Sequence, residues 1–170
     1  MVNSDLMSDH LDDAFHYWYA AEKIIENTDT NSTEYLFRLE GPVNHLLGLS
    51  MEHLLKSIYI RIHGVNYTKT HHDIINIKLY CSQSGVLNQE FIFWVDFAGK
   101  DYKAHNFKYQ RKFRGVPEDY EFDPANDVTN KFELGLVVKS PVEPIACLKA
   151  IKEQWEKELD IQRPIKEKTK

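Results

Sequence analysis

Residues 42 to 63 read Pro42-Val-Asn-His-Leu-Leu-Gly-Leu-Ser-Met-Glu-His-Leu-Leu-Lys-Ser-Ile-Tyr-Ile-Arg-Ile-His63, and this stretch decides the fold. Its apolar residues recur at spacings of three and four, as one face of a helix requires: Leu47, Met51, Leu54, Leu55, Ile58 and Ile62. Four more, Val43, Leu46, Leu49 and Ile60, spread that stripe around most of the circumference. Pro42 suits a first helical turn and Gly64 suits a helix end. A helix that is apolar on most sides packs inside a domain, so the pattern predicts a buried central helix.

The polar residues of this helix form a narrow line: His45, Glu52, Lys56 and His63. Steps of seven, four and seven residues keep them near one side. Glu52 and Lys56 have the i, i+4 order that favours an ion pair. If this line faces His72 and Asp73, it could form a pocket for an anion or a nucleotide, with Lys56 as a point charge. The other interpretation is a structural ion pair between Glu52 and Lys56. Capping and pairing favour the structural interpretation.

Length and composition bound the class of protein. The 170 residues are 42% hydrophobic and 28% charged, which predicts one domain over 1–170, with its core in 8–160 and a charged tail at 161–170. The net charge of -5 gives no overall reason to expect nucleic acid. Cys81 and Cys147 are expected to be reduced core residues. The first residues lack a signal-peptide pattern and no apolar run reaches membrane-spanning length, so we expect a cytoplasmic protein that does not enter a membrane.

Four further helices are predicted around the central one. They are a helix over 8–26 capped by Ser8 or Asp9, one after Thr70-His-His-Asp73 reaching Cys81, one after Asn88, and one starting at Ser140. A short helical piece over 34–40 is expected to break at Gly41-Pro42. Residues 91–95 would also suit a strand, but the pattern continues past a normal strand length. The sum is an all-α, up-and-down bundle of about five helices.

Part of this pattern resembles a known family. Glu52-His-Leu-Leu-Lys56, Gly64 and Lys69-Thr-His-His-Asp-Ile74 are similar to the central segment of HEPN domains, helical bundles of prokaryotic defence and toxin–antitoxin systems. In that family a helix bearing Glu and Leu-Lys ends at Gly, and a Lys-Thr-His-Asp-like turn follows; here the turn has one extra residue. The resemblance covers residues 43 to 80 and implies a helical bundle that forms a homodimer.

Two further features bear on what a HEPN-like chain would do. Tyr109-Gln-Arg-Lys-Phe113 loosely resembles a segment of the HEPN subgroup that has small nucleotidyltransferases as partner proteins. Many HEPN domains are metal-independent endoribonucleases, in which an Arg holds the phosphate and a His one or two turns later shuttles the 2′-hydroxyl proton. Only Arg38 and His45 have that spacing here, and they straddle Gly41-Pro42 at the start of the central helix instead of lying late in the bundle. Catalysis by this pair is therefore the alternative.

A basic stretch is the strongest candidate for contact with a polyanion. Residues 100 to 114 carry six Lys or Arg against one acid, Asp101, with four aromatic residues interleaved. The candidate contacts are Lys108, Tyr109, Arg111, Lys112 and Arg114. Lys and Arg bind phosphates, and aromatic rings stack on bases. The opposing interpretation, that these aromatics are core and the acidic residues of 118–133 neutralise the charge, stays open.

No metal or cofactor is predicted. His71 and His72 are adjacent, which makes binding of one ion by both difficult, and no His-x3-His helical pair or Gly-rich phosphate loop is present. The sequence thus predicts a non-catalytic HEPN-like module that binds RNA, a nucleotide or a partner protein. The predicted contacts are Glu52, Lys56, His72, Asp73 and the basic stretch. A HEPN-type endoribonuclease and a structural dimerisation module are the alternatives.

Overall fold

A computed structural model describes residues 4–32, 35–68, 73–103 and 143–167. These ranges hold five α-helices and no strand: α1 Ser4–Glu26, α2 Glu40–His63, α3 Ile74–Ser82, α4 Gln89–Lys103 and α5 Pro144–Glu167. A π-helical turn, Tyr35–Leu39, leads into α2. The predicted all-α bundle is confirmed for this part of the chain. None of its helices combines the length and apolarity needed to cross a bilayer.

Helix α2 lies at the centre, as its apolar pattern predicted. It contacts α1, α3, α4, α5 and the π-helical turn. The buried residues of its stripe are Val43, Leu47, Met51, Leu54, Leu55, Ile58 and Ile60. Gly64 ends the helix with φ 72°, and its N–H donates to the carbonyl of Ile60 at 2.8 Å. Only glycine takes that left-handed conformation without steric cost, so the predicted helix end is confirmed.

The predicted break at Gly41-Pro42 is wrong. The π-helical turn Tyr35–Leu39 runs directly into α2 at Glu40, and both Gly41 and Pro42 belong to the helix. Proline is tolerated there because the N–H groups of the first turn have no acceptor within the helix. The two residues therefore mark the beginning of α2 without separating it from the preceding turn.

Two other helix starts differ from the prediction. Helix α1 includes Ser4, so Ser8 and Asp9 lie inside it, and the buried Met7 extends its core face. Helix α5 starts at Pro144, not at Ser140, because the Glu143 carboxylate accepts from the backbone N–H of Ala146 at 2.8 Å. Proline in the first helical position loses no bond. The same helix continues to Glu167, so most of the predicted tail is helical.

Helices α3 and α4 agree with the prediction in type and position. Asp73 caps α3: its carboxylate accepts from the backbone N–H of Asn76 at 3.3 Å and from the Asn76 side chain at 2.6 Å. Residues 91–95 are helical, and one face of α4 is buried: Phe91, Trp94, Val95, Ala98 and Tyr102. The helical conformation is favoured over a strand here because the apolar spacing of three and four continues to Tyr102.

Buried side-chain hydrogen bonds fix the packing of α1, α2 and α5. The Ser50 hydroxyl donates to the carbonyl of Ala14 at 2.7 Å, which ties α2 to α1. Arg61 on α2 donates two hydrogen bonds to Glu158 on α5, at 2.5 and 2.9 Å. Glu158 is fully buried, so this bidentate pair holds both helices in one register.

Candidate functional site

The polar residues of α2 meet α4 at Glu52. One carboxylate oxygen accepts from Lys56 Nζ at 2.5 Å and the other from the Tyr102 hydroxyl at 2.7 Å. The Glu52 side chain is only 4% exposed, so these donors replace the water that it has lost. Burial, followed by the charge of Glu52, raises the pKa of Tyr102 well above its usual value, which keeps the hydroxyl protonated. Glu52 thus fixes the last turn of α4 on the central helix.

This geometry favours the structural interpretation of the predicted polar line. Lys56 directs its ammonium group at Glu52, so its charge is compensated within the protein. His45 lies against the ring of Tyr102, with ring centroids 5.7 Å apart. His63 lies against Tyr59 at 4.4 Å, near the other end of α2. The line therefore divides into separate local environments.

The other predicted site residues have mixed outcomes. Asp73 is buried as the cap of α3, a role that needs no ligand. Arg38 is exposed on the π-helical turn. Six predicted contacts lie outside the described residues: His72, Lys108, Tyr109, Arg111, Lys112 and Arg114.

A cluster that the sequence reasoning missed lies beside Glu52, where α1 faces α2. His53 Nδ1 lies 3.1 Å from His10 Nδ1 and 3.2 Å from a carboxylate oxygen of Asp13. The rings of His10 and His53 meet edge to face, with centroids 5.0 Å apart. One potential ligand atom from each of the three residues lies within 4.8 Å of the others. We call these three residues the His–Asp cluster.

The two imidazoles of the His–Asp cluster are held neutral. Burial, then the charges of His53 and Lys56, lower the pKa of His10 to about 4. Burial and Lys56 also lower the pKa of His53, while Asp13 and Glu52 oppose that shift. Near pH 7 both rings therefore present the uncharged form, which accepts protons or binds metal ions.

One sequence signal for the cluster was available. His10 and Asp13 are three residues apart, so a helix places them on one face. A pattern of two histidines on one helix does not include this His-x2-Asp pair. His53 is 43 residues from His10 along the chain, and only the packing of α1 on α2 brings it close.

A groove of about 470 Å³ lies between α1 and α5. It is lined by Trp18, Glu22, Ile25, Glu26, Ile145, Leu148, Lys149 and Lys152. Lys152 Nζ lies 5.4 Å from the centre of the Trp18 ring, so a cation partly covers the aromatic floor. Its charged lining residues are two Glu and two Lys, whose charges offset one another, so the groove is a weaker candidate site than the residues around Glu52.

Comparison with known proteins returned no match among protein-family models, curated proteins or solved structures.

Proposed function

We propose that this chain is a HEPN-like domain that binds RNA without cleaving it. The contact would be made by the basic segment, defined as residues 100–114. The observation that carries the proposal is the buried contact of Tyr102 with Glu52, because it anchors the start of that segment on the central helix.

The anchor is tight. Tyr102 is 1% exposed, and its ring lies so close to Gly48 that a Cβ atom there would come within 2.1 Å. Its hydroxyl donates to Glu52 at 2.7 Å. Tyr102 belongs to the last turn of α4, so the described start of the basic segment lies at the corner where α2 and α4 meet. A polyanion held by the segment would lie near that corner.

Charge supports a nucleic-acid ligand for this segment. Six cations against one acid within fifteen residues run counter to the overall net charge of -5. Lys and Arg that contact phosphates release bound counterions, which makes binding fall steeply with salt. The interleaved aromatic residues suit unpaired bases, on which they stack without sequence preference. Single-stranded RNA is therefore the ligand class we favour over a nucleotide or a partner protein.

The HEPN-like residues support binding over catalysis. Glu52 and Lys56 pair with each other, Gly64 ends α2, and Asp73 caps α3. Each of these roles stabilises the scaffold. His45 is engaged with the Tyr102 ring, whereas Arg38 is exposed on the π-helical turn. A ribonuclease needs both side chains on one phosphate, and the contact with Tyr102 gives His45 a packing role in the bundle.

The test is RNA binding by the full chain in EDTA. Anisotropy of a fluorescein-labelled 20-nucleotide single-stranded RNA is measured at several salt concentrations, and a gel reports cleavage. We expect intact RNA and binding that weakens with salt. Arg111→Ala/Lys112→Ala should weaken binding at least tenfold and reduce the salt slope by about one to two.

The matched control removes two cations elsewhere. Lys149→Ala/Arg163→Ala removes the same two positive charges from the exposed face of α5. It should leave the RNA affinity within twofold of the wild type. RNA cleavage abolished by His45→Ala would establish the endoribonuclease alternative. Absence of binding at 50 mM salt, with a stable dimer in ultracentrifugation, would favour the dimerisation module. Equal losses in both charge variants would refute the role of the basic segment.

A further inference from the structure

The His–Asp cluster contains more acceptors than its protons satisfy. A neutral His53 has one Nδ1 position, which carries either a proton or a lone pair. If His53 Nδ1 carries the proton, it donates to Asp13, and the Nδ1 of His10, 3.1 Å away, receives no hydrogen bond from His53. With a lone pair it accepts from His10, and the Asp13 carboxylate 3.2 Å away then faces a lone pair.

A metal ion between the three atoms removes this conflict, because each of the three lone pairs can then coordinate it. The spacing agrees with that arrangement. Ligands at about 2.0–2.1 Å from a metal ion are about 3.3–3.4 Å apart in a tetrahedral site and about 2.8–3.0 Å apart in an octahedral one. The two measured edges, 3.1 and 3.2 Å, fall between these values. The third edge, from His10 to Asp13, is at most 4.8 Å, and rotation of the half-exposed Asp13 side chain would have to close it to the same range.

We propose that His10, Asp13 and His53 form a binding site for a divalent transition-metal ion of the Zn²⁺ type. The imidazoles bind through Nδ1 and the carboxylate through one oxygen. This site is independent of the proposed RNA binding.

The ligand set defines the class of metal. Two imidazoles and one carboxylate suit Zn²⁺, Fe²⁺, Co²⁺ and Ni²⁺, while Mg²⁺ and Ca²⁺ prefer oxygen ligands throughout. Three protein ligands leave at least one coordination position for water or another molecule. Because the Asp13 side chain is half exposed, solvent can reach the site and fill that position.

The surroundings favour a cation at this place. Asp9 and Asp13 act on His10, and Glu52 acts on His53, so acidic groups flank the site on both helices. Lys56 is the nearby positive charge, and Glu52 pairs with it at 2.5 Å. The histidines are also neutral near pH 7, so a metal ion does not have to displace protons from them.

Burial excludes the two cysteines as metal ligands. Cys81 and Cys147 are both buried, and burial raises the pKa of the Cys81 thiol to about 12. A thiol that stays protonated is a poor metal ligand. Zinc binding by the folded protein therefore reports on histidines and carboxylates.

The experiment measures Zn²⁺ binding to the chelator-stripped full chain at pH 7.5, by competition with a chromophoric chelator. We expect one Zn²⁺ per chain. His10→Gln, His53→Gln and Asp13→Asn should each weaken binding at least tenfold, and millimolar Mg²⁺ should not compete. Zn²⁺ should raise the Tm of the wild type and leave the Tm of the His10→Gln variant unchanged, since only a ligand that binds the native state stabilises it.

His16→Gln is the matched control. His16 is exposed on the same helix and outside the cluster, so its loss should leave the zinc affinity within twofold. Circular dichroism checks that each variant is helical, and the half-exposed Asp13 makes Asp13→Asn a variant with little loss of packing. Absence of stoichiometric Zn²⁺ binding in the wild type would overturn the proposal. So would a folded His10→Gln variant that binds as tightly as the wild type, or displacement of Zn²⁺ by Mg²⁺.

Discussion

Gly48→Ala should destabilise the protein, although alanine is the better helix former. Gly48 lies within α2 directly below the ring of Tyr102. A Cβ atom there would lie 2.1 Å from Cδ2 of Tyr102 and 2.5 Å from Cε2. Carbon atoms in contact are normally about 3.5–4.0 Å apart. The ring would therefore have to move by more than 1 Å, on the order of the missing separation.

Three contributions set the magnitude. Overpacking of a filled core costs about 1–3 kcal/mol. Movement of the ring also strains the hydrogen bond from Tyr102 to the buried Glu52, worth about 1.5–3 kcal/mol for a charged acceptor. Replacing glycine within a helix returns about 1 kcal/mol. The net expectation is a loss of about 1.5–5 kcal/mol in the free energy of unfolding.

The assay is urea unfolding followed by circular dichroism. The control is the same substitution in a Tyr102→Ala background, where the ring is gone and Gly48→Ala should become neutral or stabilising. Gly99→Ala is a second control, because its Cβ would meet chiefly the partly exposed Ile75 side chain, at 2.7 Å. The loss of stability in Gly99→Ala should be smaller than in Gly48→Ala. A Gly48→Ala protein as stable as the wild type, or an equal loss in both backgrounds, would refute the packing of Tyr102 on Gly48.

Three more predictions concern stability. In EDTA, His10 takes up its proton near pH 6.5 in the unfolded chain but only near pH 4 in the folded chain. The free energy of unfolding should therefore fall as the pH decreases from 6.5 to about 4. His10→Gln should flatten this part of a pH–Tm profile, and the idea fails if His16→Gln flattens it equally. Asp73→Ala should lower stability by about 1 kcal/mol through loss of the α3 cap, whereas Asp73→Asn, which still caps, should lower it less in the same urea titration. Arg61→Met should cost about 3–5 kcal/mol because it leaves the Glu158 carboxylate buried without its guanidinium partner. The double variant Arg61→Met/Glu158→Met should recover most of that loss, and no recovery would argue against the pair.

The sequence by itself determined the features that depend on neighbours along the chain. The spacing of apolar residues in 42–63 identified the central helix, because a helical period is a local property. Gly64 and Asp73 marked a helix end and a helix start through their own backbone and side-chain chemistry. Exact starts were less certain, since Pro42 is compatible with several positions in a first turn.

Only the tertiary structure decided which polar groups meet. Glu52 and Tyr102 are fifty residues apart, and His10 and His53 are forty-three apart. Each residue has an ordinary local pattern, and their meeting depends on how α1 and α4 pack against α2. Helix periodicity tells which face is buried, but the rotation and register of one helix against another are set by side-chain packing across the whole core. For that reason the sequence indicated the pair of Lys56 with Glu52, which are four residues apart on one helix, but it did not indicate the candidate site that His10, Asp13 and His53 form beside it.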